Sequence, residues 1–443
     1  MNIPAKQIKY YHAKHIDELP QLSRFSPRDR QQMRAVAAVL PFRSNNYIVE
    51  ELIDWNNIPN DPIFRLTFPH PEMLPAEHLN QVVGLLDNHC DRGNLQETSA
   101  RIRRQLNPHP AGQKKHNIPT IDNEPVPGIQ HKYRQTVLVF PTAGQTCHAY
   151  CTFCFRWPQF VNLDNLKFAT RESGQFLDYL HQHREVTDVL LTGGDPMTMK
   201  TRMLARYIEP LLGDRLEHIE TIRIGTKSLA YWPYRYVSDR DADDLLRLLE
   251  KVVKQGKHLA IMAHYEHWRE LDTPIAREAI RRIRSTGAQI RTQAPVVRHV
   301  NDSVETWVKM WQIQVKLGCI PYYMFVERQT GAKQYFEIPL IRTWEIYQQA
   351  IGQLSGLGRT ARGPVMSALP GKVAIDGMAE VAGEKVFALS FLQARQSNWC
   401  KRPFFARFDP KATWLSHLKP AFGKNKFFYE SELEGILTKK LLK

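Results

Sequence analysis

The sequence predicts an α/β fold in which a parallel sheet forms an open or partial barrel, with an N-terminal helical region before it and an extension after it. Two observations carry this. Six short runs, TVLVF (136–140), TDVLLT (187–192), TIRIGT (221–226), HLAIMAH (258–264), AQIRTQAPVV (288–297) and IPYYMFVE (320–327), alternate with amphipathic helical stretches. That alternation is the signature of repeated strand–helix units in a parallel sheet. Their apolarity is continuous rather than alternating, which predicts cover on both faces of the sheet.

Residues 1–106 read as an N-terminal helical region. In SPRDRQQMRAVAAVL, Ser26 is placed to cap a helix and Pro27 suits its first turn. Residues 107–128, NPHPAGQKKHNIPTIDNEPVPG, resist regular structure and predict a linker or a strap over the body. The barrel is expected over 129–345, a loop-and-hairpin segment over 346–385, and an aromatic, basic extension over 386–443.

The 443 residues are 43% hydrophobic, enough for a buried core and incompatible with a disordered chain. The N-terminus lacks the apolar stretch of a signal peptide, and no apolar run approaches the roughly 18–20 residues of a membrane span. A cytoplasmic location without a membrane partner is therefore expected. Six cysteines are too few for a disulfide framework, and three of them fall within eight positions, which in a reducing compartment favours metal ligation. The net charge of +15 would suit nucleic acid. No RNA-binding signature accompanies it, so it reads as the basic surface of an enzyme handling anionic cofactors, and nucleic acid is not the expected partner.

The clustered cysteines, Cys147, Cys151 and Cys154, form C-x3-C-x2-C directly after the first strand, in PTAGQTCHAYCTFCFRW. Three thiolates can hold three irons of a cubane cluster and leave the fourth iron open. Structural zinc would need a fourth ligand from His148 or from distant Cys90, Cys319 or Cys400. Unliganded core thiols are a third reading. After the second strand comes TGGDP (192–196), a common turn in which Gly193 and Gly194 also permit close backbone approach and Asp195 can accept from a cation. His264 and Gln293 stand at the ends of the fourth and fifth strands, on the side of a barrel where functional groups gather. His264 and His267 form H-x2-H, but without an acidic partner on a clear helix they are not read as a metal site.

With Phe153 before the last cysteine, the loop resembles that of the radical S-adenosylmethionine (SAM) superfamily. The resemblance sharpens to the lysine 2,3-aminomutase family through IPNDPIFRLTFP, VPGIQHKYRQTVLVF, CHAYCTFCFRW, DVLLTGGDP, IRIGTKS, AHYEH, TQAPVVRHVND, PYYMFV and PGK, in order across residues 45–378. It implies a partial (β/α)6 TIM-type barrel and three cofactors: a [4Fe–4S] cluster on the three cysteines, SAM, and pyridoxal 5′-phosphate (PLP). SAM would lie against Gly193, Gly194, Asp195, His264 and Gln293. Lys372, in ALPGKVAID, matches the family's PLP lysine, and Arg156 matches its arginine for the substrate α-carboxylate. Lys132 and Tyr133 fall where the family has Arg-Tyr near the PLP phosphate, and a lysine there loses the bidentate fork. The implied activity is an isomerase that moves an amino group from the α- to the β-carbon. Its implied partners are a small amino-acid substrate, an electron donor of flavodoxin or ferredoxin type and, as an open question, further copies of the chain.

The match fails at the substrate side chain. Family members that use lysine clamp its distal ammonium with two aspartates. Here the first position is Arg328, and the second is Ala368 or Leu369. A buried guanidinium repels an ammonium, so the expected substrate is not free lysine but an amino acid with an acidic or polar side chain. Glu327 would restore a carboxylate if the register slipped by one, which keeps a true lysine 2,3-aminomutase as the alternative, along with a different reaction on the same fold. The family's zinc site is also missing, with Ser303 at one of its cysteine positions, and the tail beyond about 385 has no counterpart in the resemblance.

Overall fold

The computed structural model describes residues 4–87, 92–161, 169 and 174–441. Cys90 lies outside the described residues. Eleven strands form one sheet whose neighbours follow in sequence order. They are β1 (Ile129–Tyr133), β2 (Thr136–Val139), β3 (Asp188–Leu191), β4 (Thr221–Thr226), β5 (His258–His264) and β6 (Gln289–Val296). Then follow β7 (Ile320–Val326), β8 (Arg362–Ser367), β9 (Gly371–Val381), β10 (Glu384–Ala394) and β11 (Phe404–Arg407). Strands β2 to β8 run parallel, and the pairs β1/β2, β8/β9, β9/β10 and β10/β11 are antiparallel.

The six predicted strands are β2 to β7. Between successive parallel strands lie the helices Gly174–Gln182, Thr201–Ile208, Ala242–Lys254, Pro274–Ser285, Val304–Lys316 and Leu340–Gly352. The fold is thus a partial (β/α)6 barrel, open because β1 and β11 do not pair with each other.

The predicted cover on both faces holds in β5, where Leu259 to Ala263 are all buried, but not in every strand. In β4 and β6 buried and half-buried residues alternate. Ile222, Ile224 and Ile290 are buried in the core, whereas Arg223, Gly225 and Gln293 face a cavity inside the barrel. The sheet therefore keeps one face for packing and the other for function.

Before the barrel, helix Pro27–Val39 begins as its sequence predicts, with Ser26 Oγ accepting from the Asp29 N–H at 3.1 Å. Asp61 caps the next helix, Pro62–Thr67, by accepting from the Phe64 N–H at 2.8 Å. From residues 107–128, Ala111, Gln113 and Asn117 line the cavity.

Beyond the predicted strands, β8 to β11 continue the sheet. This C-terminal part buries its own core around Phe387, Phe391, Trp399 and Phe404. Among the described residues no helix is long and apolar enough to cross a membrane.

Candidate active site

Inside the barrel is a cavity of ≈ 310 Å³. Cys147, Cys151 and Cys154 all line it. Their loop is held through its backbone by the N-terminal region: Tyr150 N–H donates to the Arg43 carbonyl at 2.9 Å and Thr152 N–H to the Leu66 carbonyl at 3.0 Å. Arg43 donates to the Cys147 carbonyl at 3.1 Å, and Asn45 to the His148 carbonyl at 3.0 Å.

From the other side the loop is held by TGGDP. A Cβ on Gly194 would sit 2.5 Å from both the N and the O of Thr146, and one on Gly193 (φ +142°) would run into the Gln145 side chain. Only glycine lets these two loops touch. Asp195 N–H then donates to the Gly144 and Thr146 carbonyls at 2.9 and 2.7 Å.

Burial pushes all three thiols up, Cys154 to about 11. Coordination to a metal is what would make them thiolates. Among the described residues, no three His, Cys, Asp or Glu side chains converge as for a single metal ion. His148, the nearest candidate for a fourth zinc ligand, is buried off the cavity. A cubane suits this set, because each cysteine holds its own iron and the three need not meet at one point.

Gly193 and Gly194 line the cavity, but Asp195 does not. Its carboxylate accepts from the Thr226 hydroxyl at 2.7 Å, the Lys227 N–H at 2.9 Å and the Met197 N–H at 2.9 Å. The acceptor capacity expected to face a ligand is directed into the protein, and here the backbone of the motif faces the cavity. His264 and Gln293 are brought together there, Nε2 to Nε2 at 2.8 Å. His267 instead caps the turn Trp268–Leu271.

Sequence reasoning missed a buried network beside the cysteines. Lys227, just after β4, donates to Glu270 and is ion-paired with Glu266, and both glutamates are fully buried. Two carboxylates around one ammonium keep the lysine charged and leave Glu270 pushed up to about 7 by burial. Tyr231 packs under the Lys227 ammonium at 4.3 Å, and its hydroxyl lies 3.2 Å from Cys151 Sγ. The position of GTKS at a strand end was the available signal.

The remaining wall is cationic. Arg156 lies over the rings of Phe140 and Phe155, at 4.4 and 5.0 Å, and Arg328 over Phe155 at 4.1 Å. Burial lowers both guanidinium groups, Arg156 further through repulsion by Arg328, and among the described residues no carboxylate offsets either. Lys132 is lowered by burial and by Arg395, Arg328 and Lys372. Burial, Arg223 and Arg362 bring the Lys372 amine down to about 7. Lys372 Nζ faces the rings of Tyr323 and Tyr133, at 4.6 and 5.8 Å.

The loop after β7 that carries Arg328 is clamped on several sides. Thr330 Oγ1 accepts from Trp157 Nε1 at 2.9 Å and donates to the Asn107 carbonyl at 2.6 Å. Gln329 meets His417 of the C-terminal extension at 2.8 Å. Glu327 also touches the cavity, and neither of its carboxylate oxygens has a hydrogen-bond partner among the described residues. Its charge neighbours are Glu337 and Lys333, and burial pushes its carboxyl well up. Arg328, not Glu327, sits among Arg156, Lys132 and Lys372. At the second aspartate position there are only carbonyls: Ala368 O accepts from Lys132, and Leu369 O from Arg395 Nε at 3.0 Å. Ser303, at the missing zinc position, caps helix Val304–Lys316 by accepting from the Thr306 N–H.

No family model matches the chain. It is 31% identical over 433 residues to a protein of Aquifex aeolicus (strain VF5) named "Putative L-lysine 2,3-aminomutase", covering 97% of this chain and 99% of that one. It is 26% identical over 234 residues to the L-lysine 2,3-aminomutase of Clostridium subterminale, a match that spans 53% of each chain. Among solved structures, a radical SAM methyltransferase from Sphaerobacter thermophilus is similar with a TM-score of 0.35 and 13% identity, over 66% of this chain and 94% of that one.

Proposed function

The chain belongs to the lysine 2,3-aminomutase family, and from that premise we propose that it is a radical SAM, PLP-dependent isomerase. It moves the amino group of an amino acid from the α- to the β-carbon. The substrate side chain is anionic or polar, and free lysine is not the substrate. When bound, the cluster and SAM supply a hydrogen-abstracting radical, and PLP carries the migrating nitrogen.

The residues divide this work. Cys147, Cys151 and Cys154 would hold the cluster, and the Gly193–Gly194 backbone with the His264–Gln293 pair would receive SAM. Lys372 would hold the PLP aldehyde, between Tyr323 and Tyr133, with Lys132 and Arg395 supplying charge for the phosphate. Arg156, fixed against Phe140 and Phe155, would bind the α-carboxylate and so orient the β-carbon. The aromatic wall of Phe153, Phe155 and Tyr323 keeps water from the reacting carbon.

The observation that carries the substrate reading is the pair Arg156 and Arg328 on one ring, Phe155, with no carboxylate among the described residues to neutralise them. Buried unpaired charge is costly and is relieved by a ligand of opposite sign. One guanidinium answers the α-carboxylate, and the second is left for the side chain.

The reaction is tested by anaerobic reconstitution with iron, sulfide, SAM, PLP and a chemical reductant. ¹⁵N-labelled amino acids are then supplied singly, and the carbon bearing nitrogen is read by NMR. Nitrogen on the β-carbon of a non-lysine amino acid is expected. SAM cleavage without nitrogen migration in any of them would overturn the reading.

A further inference from the structure

The C-terminal extension reaches the cavity through β10. Strands β9 and β10 pair with Lys372 opposite Gln393 and Gly371 opposite Ala394. At Gly371 a Cβ would lie 2.3 Å from the Gln393 carbonyl oxygen and 2.9 Å from the Ala394 Cα. The absence of a side chain lets β10 draw tight against the start of β9. Both Lys372 and Gln393 line the cavity, and Lys372 Nζ donates to Gln393 Oε1 at 2.8 Å.

We propose that Gln393 is the positioning residue for Lys372, a neutral acceptor that aims its amine into the cavity. This rests on the reading of Lys372 as the lysine that holds the PLP aldehyde. Condensation with an aldehyde requires the free base: the nitrogen lone pair forms the C–N bond, and both amine hydrogens leave with the carbonyl oxygen as water. A group that orients the amine must therefore not lock a proton onto it.

The surroundings of Lys372 fit that requirement. Cations face it from β4 (Arg223), β8 (Arg362), the loop after β7 (Arg328) and β1 (Lys132). Tyr133 and Tyr323 present ring faces. Among the described residues the nearby carboxylate is Asp188 on β3, held by Arg223 through Nε at 2.7 Å and through Nη2. With a carboxamide at 393, burial and these cations keep the amine near neutrality, at about 7. It is protonated below that value and free above it, so PLP uptake falls as the pH drops through about 7.

The test uses the full-length chain with its cluster reconstituted and PLP removed. Lys372 is labelled with acetic anhydride across pH and followed by peptide mass spectrometry. Wild type should show a midpoint at about 7, and Gln393→Glu should move it up by about 1–3 pH units. Gln393→Met, similar in shape but without the acceptor, should weaken PLP binding by about two- to tenfold, the usual weight of one hydrogen bond between uncharged groups. Unchanged iron content reports that both variants fold. A Gln393→Glu midpoint still at about 7, or wild-type PLP affinity in Gln393→Met, overturns the positioning role. Lysine-bound PLP absorbance persisting in Lys372→Ala overturns instead the reading on which it rests.

Discussion

Lys227, beside the cysteines, sits between two buried glutamates, whereas among the described residues no carboxylate offsets Lys132, Arg156 or Arg328, which line the same cavity near one another. The first region is neutralised by the protein itself and is complete before any ligand arrives. In the second, on the proposed function, a PLP phosphate and a substrate carboxylate would balance part of the charge. Arg328 is the cation left over. Some of the chain's excess positive charge is thus spent inside the barrel rather than on its surface.

If the two regions are separately built, removing one should leave the other intact. Cys151→Ala should abolish SAM cleavage and lower the iron content, with PLP uptake preserved. Lys372→Ala should do the reverse, and absorbance with iron analysis reads both. Next in size, Arg328→Ala should cost about 2–5 kcal/mol in kcat/KM for the preferred substrate. The steady-state rate measures this, and lysine turnover should not suffer the same loss.

Smaller effects come from the two glycines that press one loop or strand onto another. Gly194→Ala should cost about 1–3 kcal/mol at the cysteine loop and reduce cluster retention, and Gly371→Ala a similar amount at Lys372, reducing PLP affinity. Each should spare the other region. The smallest effect is expected from Tyr231→Phe, which removes one hydroxyl near Cys151 and leaves cluster content unchanged. Losing a hydrogen bond to a cluster sulfur makes the cluster harder to reduce, and a redox titration followed by EPR should show a more negative midpoint potential.

The same contrast explains what could be read from sequence. The cysteine region is local: three thiols lie within eight residues, directly after a strand, and TGGDP ends the next strand. Strand positions were legible for β2 to β7 because their β-branched runs are short and bounded. The lysine region draws on β1, the cysteine loop, the loop after β7, and β9 and β10, so Gln393 and Arg395 carried no local signal. Around GPVMSALPGK a loop and hairpin were legible, but not that β8 and β9 join the barrel sheet or that β10 and β11 extend it. Asp195 illustrates the limit of a motif, since its identity was legible but not the direction of its carboxylate. Glu327 and Arg328 differ in the same way: sequence could not set which of two adjacent residues joins the cationic cluster.

On the proposed function, substrate choice rests on Arg328. Its most direct test is a competition in which the reconstituted enzyme receives equal amounts of lysine, glutamate and aspartate, and the β-amino products are separated by mass spectrometry. The β-isomer of a dicarboxylic amino acid, with little or no β-lysine, is the expected outcome. β-Lysine as the main product would contradict the account.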